Sequence, residues 1–511
     1  MALTIALGLL VYSNSLKNPF IWDDRHLVEE NPQIRYWSNL PQLFRENIGG
    51  DVTKYTFYRP LQMVTYTIEY PLWGLKPGGY RLTNILIHIA AAIGIMVFVF
   101  QLSNSKTLSL ATAVLFVVHP AHTEAVGYIS GRADPLMALF IFLSLILYKQ
   151  FLDKHDQRLF ALSLASLILA LFSKEYASIV PVLILAYHYA FSRRLEWGAF
   201  FIMLATVLLF LTLRALGVLG DLPQGQTVSL TPAKFIPGFF FSMTEYTRIL
   251  LFPFGLHMGY GQKLFHLADA RVLTGIGIVF SLLFLAPQLR RRHPLASFAI
   301  LWFFLGLLPV SNILYPLNAT IAEHWLYVPS VGFFLLTALV WENARFRFAK
   351  PHRLLVGLAP LVFIVGVWSI MTVKQNEQWF DPFKFYKRIL HYNPSFWLAH
   401  YNLGVLFQEQ DDRAEAVEHF EKALQIDPDH VPSHTNLGGL LGEGGKYEEA
   451  LIHLERAVAI DPEHAKAHVN LGNVLLLRDR RGEAIKHYEK ALEIEPDNEA
   501  ARQNLATARP S

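Results

Sequence analysis

Between residues 1 and 375 the chain is divided into apolar runs of about 15–22 residues, separated by short polar loops. That length suits a helix crossing a hydrocarbon core of roughly 30 Å. Inside a bilayer every backbone N–H and C=O must be satisfied within the chain, so repeated runs of this kind become helices. Composition agrees, since 53% of residues are hydrophobic and only 17% are charged, fewer charges than a water-soluble chain normally carries. The apolar excess stops near residue 375. The reading is therefore all-α: a polytopic membrane domain over 1–375 and a soluble domain over 376–511.

Eleven spans are expected, centred on residues 2–16, 82–102, 107–119, 135–151, 159–173, 177–191, 196–213, 272–289, 296–313, 326–341 and 354–373. The first lacks a basic leader and a small-residue cleavage site and reads as an uncleaved helix; it is short, and a native start upstream is left open. Short loops rich in Lys and Arg should face the cytoplasm. They carry Lys149, Lys154 and Arg158; Arg193 and Arg194; Arg290, Arg291 and Arg292; and Arg345, Arg347, Lys350 and Arg353. Segment 235–256 is apolar but interrupted by Pro237, Gly238, Glu245 and Arg248. Read as re-entrant or interfacial, it keeps every basic loop inside. The soluble domain and the loop after the first span then lie outside.

The soluble domain is a repeat array. Prolines recur at 394, 428, 462 and 496, a constant step of 34. "AHYNLGVLF", "SHTNLGGLL" and "AHVNLGNVL" align between them, each followed by a second amphipathic segment. A 34-residue unit of two helices is the tetratricopeptide (TPR) pattern. Units are expected at 395–428, 429–462 and 463–496, with a capping helix at 497–509. Such an α-solenoid offers a groove to a peptide or protein. The alternative is a purely structural platform or a dimerisation surface.

A net charge of +3 favours neither nucleic acid nor a polyanionic substrate, and the absence of cysteine excludes disulfides and thiolate metal sites. Ionisable groups beside a membrane are costly and ask for a reason. "NPFIWDD" puts Asp23 and Asp24 just after the first span. "HPAHTEAVGYISGRADPL" carries His119, His122, Glu124, Arg132 and Asp134. "SKEY" carries Lys174 and Glu175, and "AEHWLYVPS" carries Glu323 and His324. All four loops share the outer face in this topology. Taken singly, the acid pair reads as a turn or helix cap, the histidines as caps, and Lys174–Glu175 as an ion pair. His119, His122 and Glu124 as metal ligands are a further alternative, without strict zinc spacing. Together the loops suit glycosyl transfer from a lipid-phosphate sugar: a carboxylate as base toward a hydroxyl, and cations on the departing phosphate.

These motifs, in this order and ahead of a TPR array, make the chain resemble the transmembrane and TPR-containing O-mannosyltransferases that act on cadherins, in a prokaryotic form. The resemblance implies a GT-C type fold. It implies inverting, metal-independent transfer of a hexose from a polyprenyl- or dolichyl-phosphate sugar to Ser or Thr of a protein. The family's acidic pair maps onto Asp23 and Asp24, with Asp24 expected as base and Asp23 as the alternative or supporting acid. Its "GRAD" and "KE" motifs map onto Arg132, Asp134, Lys174 and Glu175, to which carrier-phosphate binding is assigned here. His324 stands where the family usually has Arg, a weaker phosphate partner. No cofactor is expected beyond the donor, and a divalent cation is left open. The expected location is a prokaryotic cytoplasmic membrane.

Two other readings compete. In one the chain is a non-catalytic membrane scaffold whose repeats recruit partners. In the other it is a transporter, which would place its polar groups at the midplane on broken helices, in two related halves. The acids here lie in loops, and the membrane part shows no internal duplication.

Overall fold

The computed structural model describes residues 1–48, 57–220, 235–314, 317, 319–345 and 350–509. Arg347, one of the expected cytoplasmic charges, lies outside the described residues. Those described are helical, with no strand among them. They form two compact units, Met1–Asp381 and Pro382–Ser511.

In the first unit a helix stands at each place where a span was expected. Five helical stretches are long and apolar enough to cross a bilayer: Pro77–Ser103, Ile129–Lys154, Trp197–Ala215, Ala270–Leu289 and Gly357–Trp379. Others are shorter. Lys106–Val118 has 13 residues and so rises only about 20 Å. It stops there because His119 precedes Pro120, and a residue before proline is driven out of helical geometry. The tight corners are capped in the left-handed region, at Asn104 (φ 53°) and His155 (φ 55°). Gly94 lets Pro77–Ser103 approach Ala133–Lys154, where a Cβ would sit 3.2 Å from Phe142. Segment 235–256 contains the 16-residue helix Ile236–Leu251.

Polar side chains tie the first helix to the last. Asn14 Nδ2 donates to the Val373 carbonyl at 2.9 Å, Asn18 Nδ2 to that of Asn376 at 3.0 Å, and Asn376 Nδ2 to that of Val11 at 2.9 Å. Each satisfies a carbonyl freed by a helix end. The loops bearing the candidate residues gather at this end of the unit.

The second unit begins with the helix Pro382–Tyr392. Three helix pairs follow: Trp397–Glu409 with Arg413–Ile426, Val431–Glu443 with Tyr447–Ile460, and Ala465–Leu477 with Arg481–Ile494. Glu499–Ala508 closes the array. Gly404, Gly438 and Gly472 lie against Phe420, Leu454 and Tyr488 of the second helices, too close for any larger residue.

Candidate functional site

The turn holding the acid pair is strained. Trp22 sits at φ 55°, a conformation that costs a bulky residue about 1–2 kcal/mol. Asp24 then opens a single π-helical turn, Arg25–Glu29. The Trp22 twist drives Asp24 inward and leaves Asp23 half-buried.

Asp24 is fully buried. Its Oδ1 accepts from both the backbone N–H and the Oγ–H of Ser130, each at 2.8 Å. Its Oδ2 lies 3.6 Å from the guanidinium of Arg81, itself fully buried, and accepts no hydrogen bond. Arg81 also donates to the carbonyls of Asn18, Pro19 and Gly127. Burial pushes the Asp24 carboxyl up to about 6, against the opposing pull of Arg81 and the Ser130 bonds. Beside it, the Asp23 N–H donates to the Tyr128 hydroxyl at 3.1 Å, and the Tyr128 ring stacks on Trp379.

Ser130 and Tyr128 belong to the loop 119–134, and that loop binds the other two as well. Glu124 accepts from the His324 N–H at 3.0 Å and pairs with its Nδ1 at 2.7 Å. Asp134 receives Lys174 Nζ on both oxygens, at 2.8 and 2.9 Å. Three loops distant in sequence are thus fastened to one. Gly131 is needed at its fold, because a Cβ there would collide with the Glu124 carbonyl oxygen.

The remaining expected residues divide by what they still offer. Arg132 offers nothing. Its five N–H donors reach Asn84 Oδ1 (2.6 Å), Thr65 Oγ1 (2.8 Å), both oxygens of Glu69 (2.7 and 2.9 Å) and the Tyr80 carbonyl (2.8 Å). It is a clamp between the loop and helix Pro60–Trp73, with no donor left for a phosphate. Lys174 keeps one of its three N–H donors. Glu175 is half-buried at the head of a short 3-10 turn. Glu323 Oε1 is held by the His257 N–H (2.5 Å) and the Tyr260 hydroxyl (2.8 Å), bracing the end of the neighbouring loop.

The two histidines are walls, not ligands. His119 Nδ1 accepts from the Ala121 N–H at 3.2 Å, so its Nε2 donates to the Leu250 carbonyl at 3.2 Å. Both nitrogens are spent on backbone. His122 is packed among Phe116, Tyr327 and Phe334. The alternative of His119, His122 and Glu124 around one metal is not assembled, because Glu124 turns away to His324. Among the described residues no group of three such side chains is placed to hold an ion.

Arg81, Glu69, Asn84 and Ser130 were not singled out from sequence. A signal existed for some. Arg81, Asn84 and His88 fall at i, i+3 and i+7, a polar stripe on one face of an apolar run. Gln62, Tyr66 and Glu69 make a similar stripe on Pro60–Trp73.

The tetratricopeptide-repeat model matches residues 397–463, and a second such model matches 465–498. A Caenorhabditis elegans protein O-mannosyl-transferase is 26% identical over 438 residues, covering 82% of this chain and 61% of the relative. The human protein O-mannosyl-transferase TMTC3 is 25% identical over 472 residues (82% and 50%), and human TMTC4 is 25% identical over 484 (81% and 64%). The chain is similar to the protein O-mannosyl-transferases. The similarity extends across both units, and the chain spans 50–64% of the length of these relatives.

Proposed function

We propose that the chain is an integral membrane glycosyltransferase that moves a hexose, mannose by its similarity, from a polyprenyl-phosphate carrier to a Ser or Thr hydroxyl of a protein. The repeats bind the acceptor on the exoplasmic side of a prokaryotic cytoplasmic membrane. The observation that carries this reading is the convergence of three loops on residues 119–134, which gathers Asp23, Asp24, Lys174 and His324 at one end of the helices.

Burial divides the work of the acid pair differently from the sequence expectation. Asp24 is fully buried and its Oδ1 is already engaged by the Ser130 hydroxyl, so its role is to hold the turn through Ser130 and Arg81 and not to receive an acceptor. Asp23, half-buried on the same turn, is the carboxylate an acceptor reaches. Asp23 takes the proton of the Ser or Thr hydroxyl as its oxygen attacks C1 of the sugar. The C1–O bond to the carrier breaks, and the electron pair leaves with the carrier phosphate. Lys174 meets that phosphate with its remaining donor, in competition with Asp134. Attack opposite the leaving phosphate inverts C1.

The test is transfer from a polyprenyl-phosphate hexose to a Ser/Thr peptide by the purified protein in lipid. Transfer by wild type that is lost in Asp23→Asn, with folding intact, supports the reading. Full activity in that variant removes Asp23 as base. No transfer of any hexose by wild type, while the repeats still capture a protein, returns the chain to the scaffold reading.

A further inference from the structure

Each repeat contains a pair of histidines 19 residues apart, one on each of its helices. The Nδ1 atoms face each other at 3.0 Å in His400–His419 and at 2.9 Å in His434–His453 and His468–His487. In each pair the first ring turns Nε2 to the carbonyl of the proline six residues earlier: Pro394 at 3.2 Å, Pro428 at 3.0 Å and Pro462 at 3.0 Å.

This geometry fixes the protons. A carbonyl only accepts, so the Nε2 atoms of His400, His434 and His468 carry hydrogen and their Nδ1 atoms present lone pairs. The facing Nδ1 of His419, His453 or His487 must then donate. One proton lies between the two rings. A first extra proton goes to Nε2 of the second ring and charges a half-buried pair. A second can go only to Nδ1 of the first ring, and two N–H groups then point at each other. A metal in place of the shared proton would hold the two nitrogens about 3.3 Å apart in tetrahedral geometry. The observed spacing is that of a hydrogen bond.

We propose that the three histidine pairs form an acid-sensitive latch, which on proton uptake loosens the two helices of every repeat together and so weakens the groove that captures protein. The neighbouring charges vary along the array. The first pair faces Glu418 and Lys422 on its own second helix and Lys387 on the preceding helix. The second faces Glu449, with His430 at the entry to its first helix close to His434. The third faces Glu483 and Arg480. Lys422 and Arg480 are already paired with Glu418 and Glu483, and Lys446 lies 3.7 Å from Glu449, so no pair has a carboxylate to itself that would neutralise an imidazolium. Burial holds His400, His453 and His487 below the ordinary imidazole value, and His419 at about 4. Below about pH 6.5 the unfolded chain therefore binds protons that the folded repeats resist, and stability falls with pH. The latch is independent of the transfer reaction.

Hydrogen exchange on the full-length protein in lipid nanodiscs, corrected for the intrinsic pH dependence of exchange, reads the latch. Between pH 7.5 and 5.0, amides in Trp397–Glu409, Val431–Glu443 and Ala465–Leu477 should lose about tenfold in protection. A triple variant with His419→Asn, His453→Asn and His487→Asn keeps a donor near the Nδ1 position but does not titrate there. Its loss should be less than about threefold. Equal losses in both proteins, or an unchanged wild type, overturn the proposal. If the triple variant is already unprotected at neutral pH, His453→Asn alone decides: the acid response should shrink in the middle repeat and persist in its neighbours, and a response left intact there overturns the latch.

Discussion

The two units manage buried ionisable groups in opposite ways. In the membrane unit each pairing is singular: Asp24 with Arg81 and Ser130, Arg132 with Glu69, Lys174 with Asp134, Glu124 with His324. Polar groups meet over separations of 40 to 200 residues. In the repeat unit the pairing is neutral, periodic and short-range, one imidazole to another across 19 residues. The difference follows from architecture. A solenoid repeats one contact, so a modest hydrogen bond used three times suffices. A bundle with unrelated loops must define each loop once, and a buried ion pair gives orientation at the expense of desolvation.

The sharpest way to break this contrast is at Asp23. Asp23→Asn should lower hexose transfer by at least about 10³-fold while leaving the thermal midpoint in detergent unchanged. A variant that still turns over would move the singular chemistry elsewhere. Next comes the clamp. Arg132→Ala leaves Glu69 buried and unpaired and should cost about 3–5 kcal/mol, seen as loss of monodisperse protein on size exclusion. Arg132→Lys should not rescue it, since a point charge cannot span five acceptors.

Asp24→Asn should cost about 2 kcal/mol, because three backbone carbonyls still hold Arg81. It also tests the sign of pH dependence. The folded Asp24 carboxyl lies at about 6, above the unfolded value, so the folded unit binds that proton first. Stability from this group rises as pH falls through 6 towards about 4, opposite to the histidine pairs. Thermal scans that resolve the two units should show them diverging on acidification, with the membrane unit's gain absent in Asp24→Asn. The smallest effect belongs to the exposed surface. Arg456→Ala, which removes a solvent-facing pair with Asp429, should change stability by less than about 0.5 kcal/mol.

How much of this was legible in the sequence follows the same divide. The repeats were readable because period and packing coincide: Gly404, Gly438 and Gly472 mark the helix contacts and recur every 34 residues. The apolar runs were readable because bilayer thickness sets their length. Four polar loops could be found, yet not who pairs with whom. Arg132 looks like a phosphate ligand in "SGRAD", and only the approach of Glu69 and Asn84 shows its donors to be spent. The inward turn of Asp24 depends on the backbone twist at Trp22, which no local pattern announces. Arg81 lies near the start of an apolar run, where a long side chain ordinarily reaches out to the interface, so its inward turn has no signal in that position alone.

Synthesis adds a time axis to the loop 119–134. Glu124 emerges from the ribosome 200 residues before His324, the side chain that answers it. Until that later segment is made, an acid destined for burial has no counterpart. Truncated chains ending before residue 324 should accordingly be marked for proteolysis, and the clasp is complete only once Val373 and Asn376 arrive to meet the first helix.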